Sequence, residues 1–400
     1  MRALFHQSLI AQGVTALAAL VTVGFLARGL STIDYAHYAV VTAIWGIGNA
    51  VVGTGTGTRI AKMSAQGTKR ISFQRSELWI TFLAAAITGY YIFFVRNSLV
   101  EATLAGFCMV SFVFAEASTS FEMGARRFNR YLVLLGVRAL TPPVVLTAFS
   151  LSGTLDFTTA VVTVLAGNMI SLLIWPSRWT PTFEYNSPVS SHAVGAMNMG
   201  LWIIASADRL VLERTITALD LASYALVYGL TDRIFRSLSN AYIAKNLGRA
   251  FQGETKKSGW KFYVLSLLLA ALLVPIIQFA TAALSGSRYN APLIMTSLIV
   301  VAGLFMLWSA PHYVKLMASG EFKSALVLIF ALAAFNVLAN ILLAAYLGTD
   351  GAAMISMMTY GLWFTWLATK RPLRAYSRLD GGRHVKVSQK SSHSSRNRGV

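Results

Sequence analysis

Seven charged residues interrupt otherwise apolar stretches of this sequence: Glu116, Arg138, Asp208, Arg209, Asp232, Arg233 and Arg236. An ionised side chain surrounded by hydrocarbon is costly, so such residues face a protein interior or a wet cavity and commonly mark a pathway. Asp232 and Arg236 are spaced i,i+4, which places them on one helix face within reach of each other. Arg233 lies about 100° round that helix from Asp232, so the pairing leaves it free for another partner. Arg138 and Glu116 fall at similar depth on neighbouring stretches and can pair between them. A guanidinium group stays charged in a poor solvent and matches phosphate oxygens with parallel N–H donors. A cavity with surplus arginine therefore suits an anion such as a lipid diphosphate. Arg138, Arg209, Arg233 and Arg236 are the candidate ligand-binding residues. Glu116, Asp208 and Asp232 are candidates for ion coupling or for structural pairing, and holding helices together is the competing reading for the whole set.

Little else in the chain carries chemistry. There is one cysteine, Cys108, in an apolar stretch, and the six histidines are scattered with no two on one i,i+4 face. No metal site and no cofactor are expected. Residues 53–58 read GTGTGT, but no strand precedes them and no Gly-Lys-Ser/Thr follows, so they are not a phosphate-binding loop. Small residues on a helix face instead permit close packing within a membrane.

The elements that must position these residues are helices in a bilayer. Of 400 residues, 56% are hydrophobic and 12% charged, with mean hydropathy +0.59. A hydrocarbon core roughly 30 Å thick takes about 20 apolar residues per helix. Runs of that length lie at 7–27, 37–58, 78–95, 99–119, 131–151 and 157–175, and again at 194–214, 221–243, 259–281, 291–313, 324–346 and 350–369. Twelve spans leave only short loops and a basic, Ser-rich tail at 371–400 that is expected to be disordered. Pro142, Pro143 and Pro275 should kink spans 5 and 9.

The net charge of +19 would suggest nucleic acid in a soluble protein. Here its distribution argues otherwise. With loops assigned alternately to two sides, the N-terminal side holds 26 Lys and Arg residues and the other holds Arg28, Arg96, Arg214 and Arg288. That split predicts cytoplasmic N- and C-termini and no nucleic-acid partner. We call these the basic face and the sparse face. Four short loops on the sparse face carry a single Asp before the next helix, at Asp34, Asp156, Asp220 and Asp350, where a carboxylate can cap exposed amides.

A repeat divides the twelve spans. Residues 31–41 read STIDYAHYAVV and residues 217–227 read TALDLASYALV, an offset of 186 residues. Span 2 thus maps onto span 8. Six spans lie between, an even number, so both copies face the same way: a parallel repeat of two six-helix lobes. The lobes are expected at 1–185 and 186–370.

The segments FLARGLSTIDYAHYAVV (25–41), SADRLVLERTITALDLASYALVYGL (206–230) and LANILLAAYLGTDGAA (338–353) resemble the span 1–2 junction, the span 7–8 region and the span 11–12 hairpin of the Wzx-type O-antigen and exopolysaccharide flippases. That family lies within the multidrug/oligosaccharidyl-lipid/polysaccharide exporter superfamily, and the resemblance covers about residues 5–370. It implies an all-α, MATE-like membrane fold with two lobes round a central cavity, worked by alternating access. It also implies an undecaprenyl-diphosphate-linked oligosaccharide as cargo, moved across a bacterial inner membrane beside a polysaccharide polymerase and other assembly proteins. Span 1 lacks the central charge that the related lipid II flippases carry, so the cationic lumen must come from Arg138, Arg233 and Arg236, with Arg28 a further candidate. An exporter of organic cations should carry surplus acid in its cavity, and arginine outnumbers acid here. A membrane glycosyltransferase or polymerase needs sizeable outer loops, and these are about ten residues at most, so no enzyme is expected.

Overall fold

The computed structural model describes residues 2–65, 67–125, 127–174, 182–183, 191–251, 259–319 and 321–370. The tail 371–400, and the basic residues Arg126, Arg178, Lys256 and Lys257, lie outside the described residues. Twelve helices run back and forth among them. In the first lobe they are α1 (Arg2–Gly29), α2 (Thr32–Asn49 continuing through a π-helical turn Ala50–Thr54 into Gly55–Ala65), α3 (Arg75–Arg96), α4 (Leu99–Gly124), α5 (Phe128–Ser152) and α6 (Phe157–Leu173). In the second they are α7 (Ser191–Leu212), α8 (Ala218–Phe251), α9 (Trp260–Ser285), α10 (Leu293–Ser319) and the stretch Phe322–Thr369. That stretch breaks at Gly348, whose φ of 55° no helical residue shares, giving α11 (322–347) and α12 (349–369). Only glycine adopts such a backbone cheaply, which is why the last hairpin turns there.

Seven helices among the described residues are long and apolar enough to cross a membrane on composition alone. The 34-residue α8 is not among them, because Asp232, Arg233 and Arg236 interrupt it. A helix that gives one face to a polar cavity loses hydropathy, while a peripheral one keeps it. On α3, the large side chains Trp79, Phe82, Leu83, Ile87, Tyr90 and Phe94 are exposed along one stripe; on α9, its counterpart six helices on, Leu265, Leu268, Leu272 and Phe279 are exposed likewise. In a bilayer such stripes are the lipid contact rather than a liability.

The repeat is visible at the helix starts. Ser31 Oγ accepts the Asp34 amide at 3.0 Å and donates to Asp34 Oδ2 at 2.7 Å. Thr217 does the same for Asp220, at 3.2 and 2.7 Å. The hydroxyl residues, not the aspartates, are therefore the N-caps at these two sites, a reversal of the expected roles. Asp156 caps directly, its Oδ1 accepting the Thr159 amide at 2.7 Å. Asp350 makes no such bond, and its Oδ1 is buried with no partner among the described residues.

Apolar cores hold each lobe. One gathers Val41, Trp45, Ile92, Cys108, Val113 and Phe157 in the first lobe, and another gathers Met197, Ile204, Ile329, Tyr360 and Trp363 in the second. A third cluster takes residues from both lobes, Leu26, Leu30 and Tyr35 with Leu212, Tyr224, Ile277 and Tyr289, all at the sparse-face ends of their helices. That cluster closes the sparse face. The GTGTGT segment straddles the π-helical turn and the helix after it, and its glycines do serve close packing. A Cβ on Gly57 would fall 2.5 Å from Ser120 Oγ, and one on Gly124, opposite, would collide with the Ala61 carbonyl oxygen. Short parallel pairing of Ser72–Phe73 with Thr182–Phe183 ties the link between the lobes back to the first lobe.

Candidate functional site

Between the lobes lies a cavity of about 490 Å³. It draws Thr15, Ala19 and Thr22 from α1, Tyr38 to Asn49 from α2, Arg138 and Pro142 from α5, Trp202 and Arg209 from α7, and Tyr228 to Arg236 from α8. All four candidate arginines, Arg138, Arg209, Arg233 and Arg236, line it, with Asp232 as the one acid among the described lining residues.

The arginines are held differently. Arg236 donates from Nε and Nη2 to both oxygens of Asp232, at 2.9 and 2.7 Å, as the i,i+4 spacing demands. Its guanidinium also lies 4.3 Å from the centre of the Trp202 ring, a cation–π contact. Trp202 reaches that place because α2 has Gly46 opposite; a Cβ there would fall 2.6 Å from the indole. Arg138 pairs with Glu116 at 3.2 Å, from α5 to α4, and covers the Phe112 ring at 4.8 Å. Glu116 itself does not line the cavity.

Arg209 and Asp208 are neighbours in sequence yet point apart. Arg209 turns to the cavity over Tyr228, 5.2 Å from its ring centre, and bonds to the Ala205 carbonyl and Ser206 Oγ. Asp208 is fully buried on the other side of α7. It accepts from the Tyr224 hydroxyl, from the Arg209 amide at 2.7 Å and from Ser356 at 3.4 Å, tying α7 to α8 and α12. The two side chains come no nearer than 4.0 Å. Successive positions on a helix diverge by about 100°, which is why adjacency in sequence leaves them an ion pair only at the limit of contact.

Arg233 has no hydrogen bond, ion pair or ring contact among the described residues, though it lines the same cavity as Asp232. One full positive charge is thus left for a ligand. Arg28 is not in the lumen: it is exposed at the sparse-face end of α1, where it donates to the carbonyls of Ala283 and Leu284. The lining also includes groups that charge bookkeeping passes over. Trp45 and Trp202 present aromatic faces, and Thr42, Asn49 and Asn168 present hydrogen-bonding groups at mid-span. The asparagines were findable, since an uncharged polar side chain in the middle of a span usually has a protein partner or a cavity to face. Among the described residues, no group of His, Cys, Asp and Glu could hold a metal ion.

No family model matches the chain, and no curated protein matches it. Solved structures do resemble it. A chain described as protein A has 12% identity with it and a TM-score of 0.62, covering 92% of this chain and 93% of that one. A MATE transporter in complex with MaL6 has 13% identity and a TM-score of 0.51, covering 91% and 94%. A point mutant of a MATE has 14% identity and a TM-score of 0.50, again covering 91% and 94%. At such identities the likeness shows the fold alone: twelve transmembrane helices in two six-helix lobes around a central cavity, the architecture of MATE-type membrane transporters.

Proposed function

We propose that this protein is a flippase that moves a lipid-linked oligosaccharide through the arginine-lined cavity by alternating access. The cargo is an undecaprenyl-diphosphate-linked oligosaccharide, passed from the cytoplasmic to the outer leaflet of a bacterial inner membrane for O-antigen or exopolysaccharide synthesis. The basic face is cytoplasmic and the sparse face outward; residues 1–185 and 186–370 act as the two moving lobes. A polymerase and other assembly proteins receive the cargo. The observation that carries this reading is Arg233, a cation inside the membrane with no hydrogen bond or ion pair among the described residues, because both oxygens of its neighbour Asp232 are taken by Arg236. Its guanidinium suits a diphosphate, and Arg138, Arg209 and Arg236 raise the local potential around it. Trp45 and Trp202 offer apolar faces to sugar rings, and Asn49, Asn168 and Thr42 offer bonds to hydroxyls. Glu116, Asp208 and Asp232 serve as structural partners, with Asp208 buried out of reach of the cargo. The protein makes and breaks no bond in this scheme.

The test replaces Arg233 with Ala, alone and with Arg236→Ala, in cells whose surface polysaccharide can be followed. Export should fall sharply, and for Arg233→Ala at unchanged protein level. Normal export would remove the arginines from the mechanism. One observation favours a second reading, a cation-coupled drug exporter: Asp232 offers a carboxylate within the cavity. Both of its oxygens are occupied by Arg236, so a cationic drug would first have to displace an arginine. Resistance conferred on drug-sensitive cells, unaffected by Arg233→Ala, would favour that alternative.

A further inference from the structure

Two seams between the lobes flank the apolar cluster that closes the sparse face, and they are built differently. At the first, α1 packs against α9. Arg28 Nε donates to the Leu284 carbonyl at 3.0 Å and its Nη2 to the Ala283 carbonyl, while Arg288 Nη1 donates to the Leu30 carbonyl at 2.8 Å. Each arginine thus sits on the C-terminal carbonyls of the opposite lobe's helix, where acceptors lack intrahelical donors and the dipole favours a cation. Tyr35 stacks on Tyr289 beside them, with centroids 5.5 Å apart. At the second seam α3 faces the turn that follows α7, and one side-chain hydrogen bond bridges it among the described residues: the Tyr91 hydroxyl donates to Glu213 Oε1.

The six-helix repeat turns the α1/α9 seam into the α7/α3 seam. By the 186-residue offset Arg214 stands where Arg28 does, yet Arg214 is exposed and its side chain makes no hydrogen bond or ion pair among the described residues. The arginine fastening is therefore present once and missing from its pseudosymmetric place. We propose that the α3/α7 seam parts when the sparse face opens, with Tyr91–Glu213 as its clasp, and that the α1/α9 seam stays joined as the hinge. Parting the hinge seam would break three charge-assisted hydrogen bonds to backbone carbonyls at once. Parting the clasp costs one bond, whose strength rests on the charge of Glu213. The proposal builds on the transport reading, and it assigns the side on which a lipid-borne cargo would leave.

Spin labels test it in lipid nanodiscs without any cargo, in a Cys108→Ser background. One pair, at Phe94 and Thr215, spans the α3/α7 seam; a second, at Ile33 and Ser287, spans the α1/α9 seam. Distances are measured for the parent chain, Glu213→Gln and the nearly isosteric Tyr91→Phe. Both variants should enlarge the long-distance population at 94–215 about tenfold, the loss expected for one charge-assisted bond, and leave 33–287 unchanged. An unchanged 94–215 distribution in both variants, or lengthening at 33–287 instead, overturns the proposal. A chain that parts at 94–215 yet exports no polysaccharide supports the seam and counts against the cargo.

Discussion

Arg233 and Arg236 lie three residues apart and line one cavity, yet their removal should have opposite signatures. Arg233→Ala takes away a cation that no acid depends on, so folding should be unaffected. A bound diphosphate would lose hydrogen bonds to a charged group, about 1.5–3 kcal/mol, and affinity should fall roughly ten- to hundredfold. Arg236→Ala instead strips Asp232 of both its donors. Leaving one partner of a fully buried ion pair alone costs about 3–5 kcal/mol. The side chains here keep 27% and 18% of their exposure, so water in the cavity reduces this to about 2 kcal/mol. Adding Asp232→Asn to Arg236→Ala should recover most of that stability, because no buried carboxylate is then left without a partner. The assay is titration of purified protein in nanodiscs with a polyprenyl diphosphate, alongside thermal unfolding of the same samples. Arg233→Ala with parental affinity, or one as unstable as Arg236→Ala, would refute the assignment of Arg233 as the unpaired ligand-binding cation.

Three further outcomes are expected. Glu116→Gln releases Arg138 from a partly buried pair at 3.2 Å that still reaches solvent, so stability should change by less than about 1 kcal/mol while polyprenyl diphosphate binds more tightly in the same titration. Arg59 is wholly buried against Glu77 and also donates to the Ser72 carbonyl; Arg59→Ala should cost about 3–5 kcal/mol, seen as loss of folded, monodisperse protein in fluorescence-detected size-exclusion chromatography. Gly124→Ala would drive a methyl group into the Ala61 backbone oxygen, whereas Gly136→Ala meets nothing within 4 Å. The first should cost about 1–3 kcal/mol by overpacking and the second should stabilise α5 by up to about 1 kcal/mol, a difference that thermal unfolding will resolve.

Much of this protein is determined within single helices and is legible there. A span needs a run of apolar residues long enough for the bilayer, so twelve helices appear at nearly the expected boundaries, and Gly348 marks the last turn. The Asp232–Arg236 bond follows from i,i+4 spacing, and the freedom of Arg233 follows from the same geometry. The repeat, too, is written in eleven residues that begin two equivalent helices. What the sequence left open is whatever depends on how one helix is rotated against another. Asp208 and Arg209 part because α7 is buried on one side and wet on the other. Arg28, counted with the lumen from its charge, is drawn to the carbonyls at the end of α9, more than 250 residues away. Tyr91 and Glu213 meet across 122 residues with no periodicity to announce them. Rotation and neighbours are set by which small residues allow two backbones to approach, as Gly46 does for Trp202 and Gly124 does for Ala61. Those contacts are long-range sums of van der Waals fit, so only the tertiary structure decides which of the membrane-embedded charges share a cavity and which close a door.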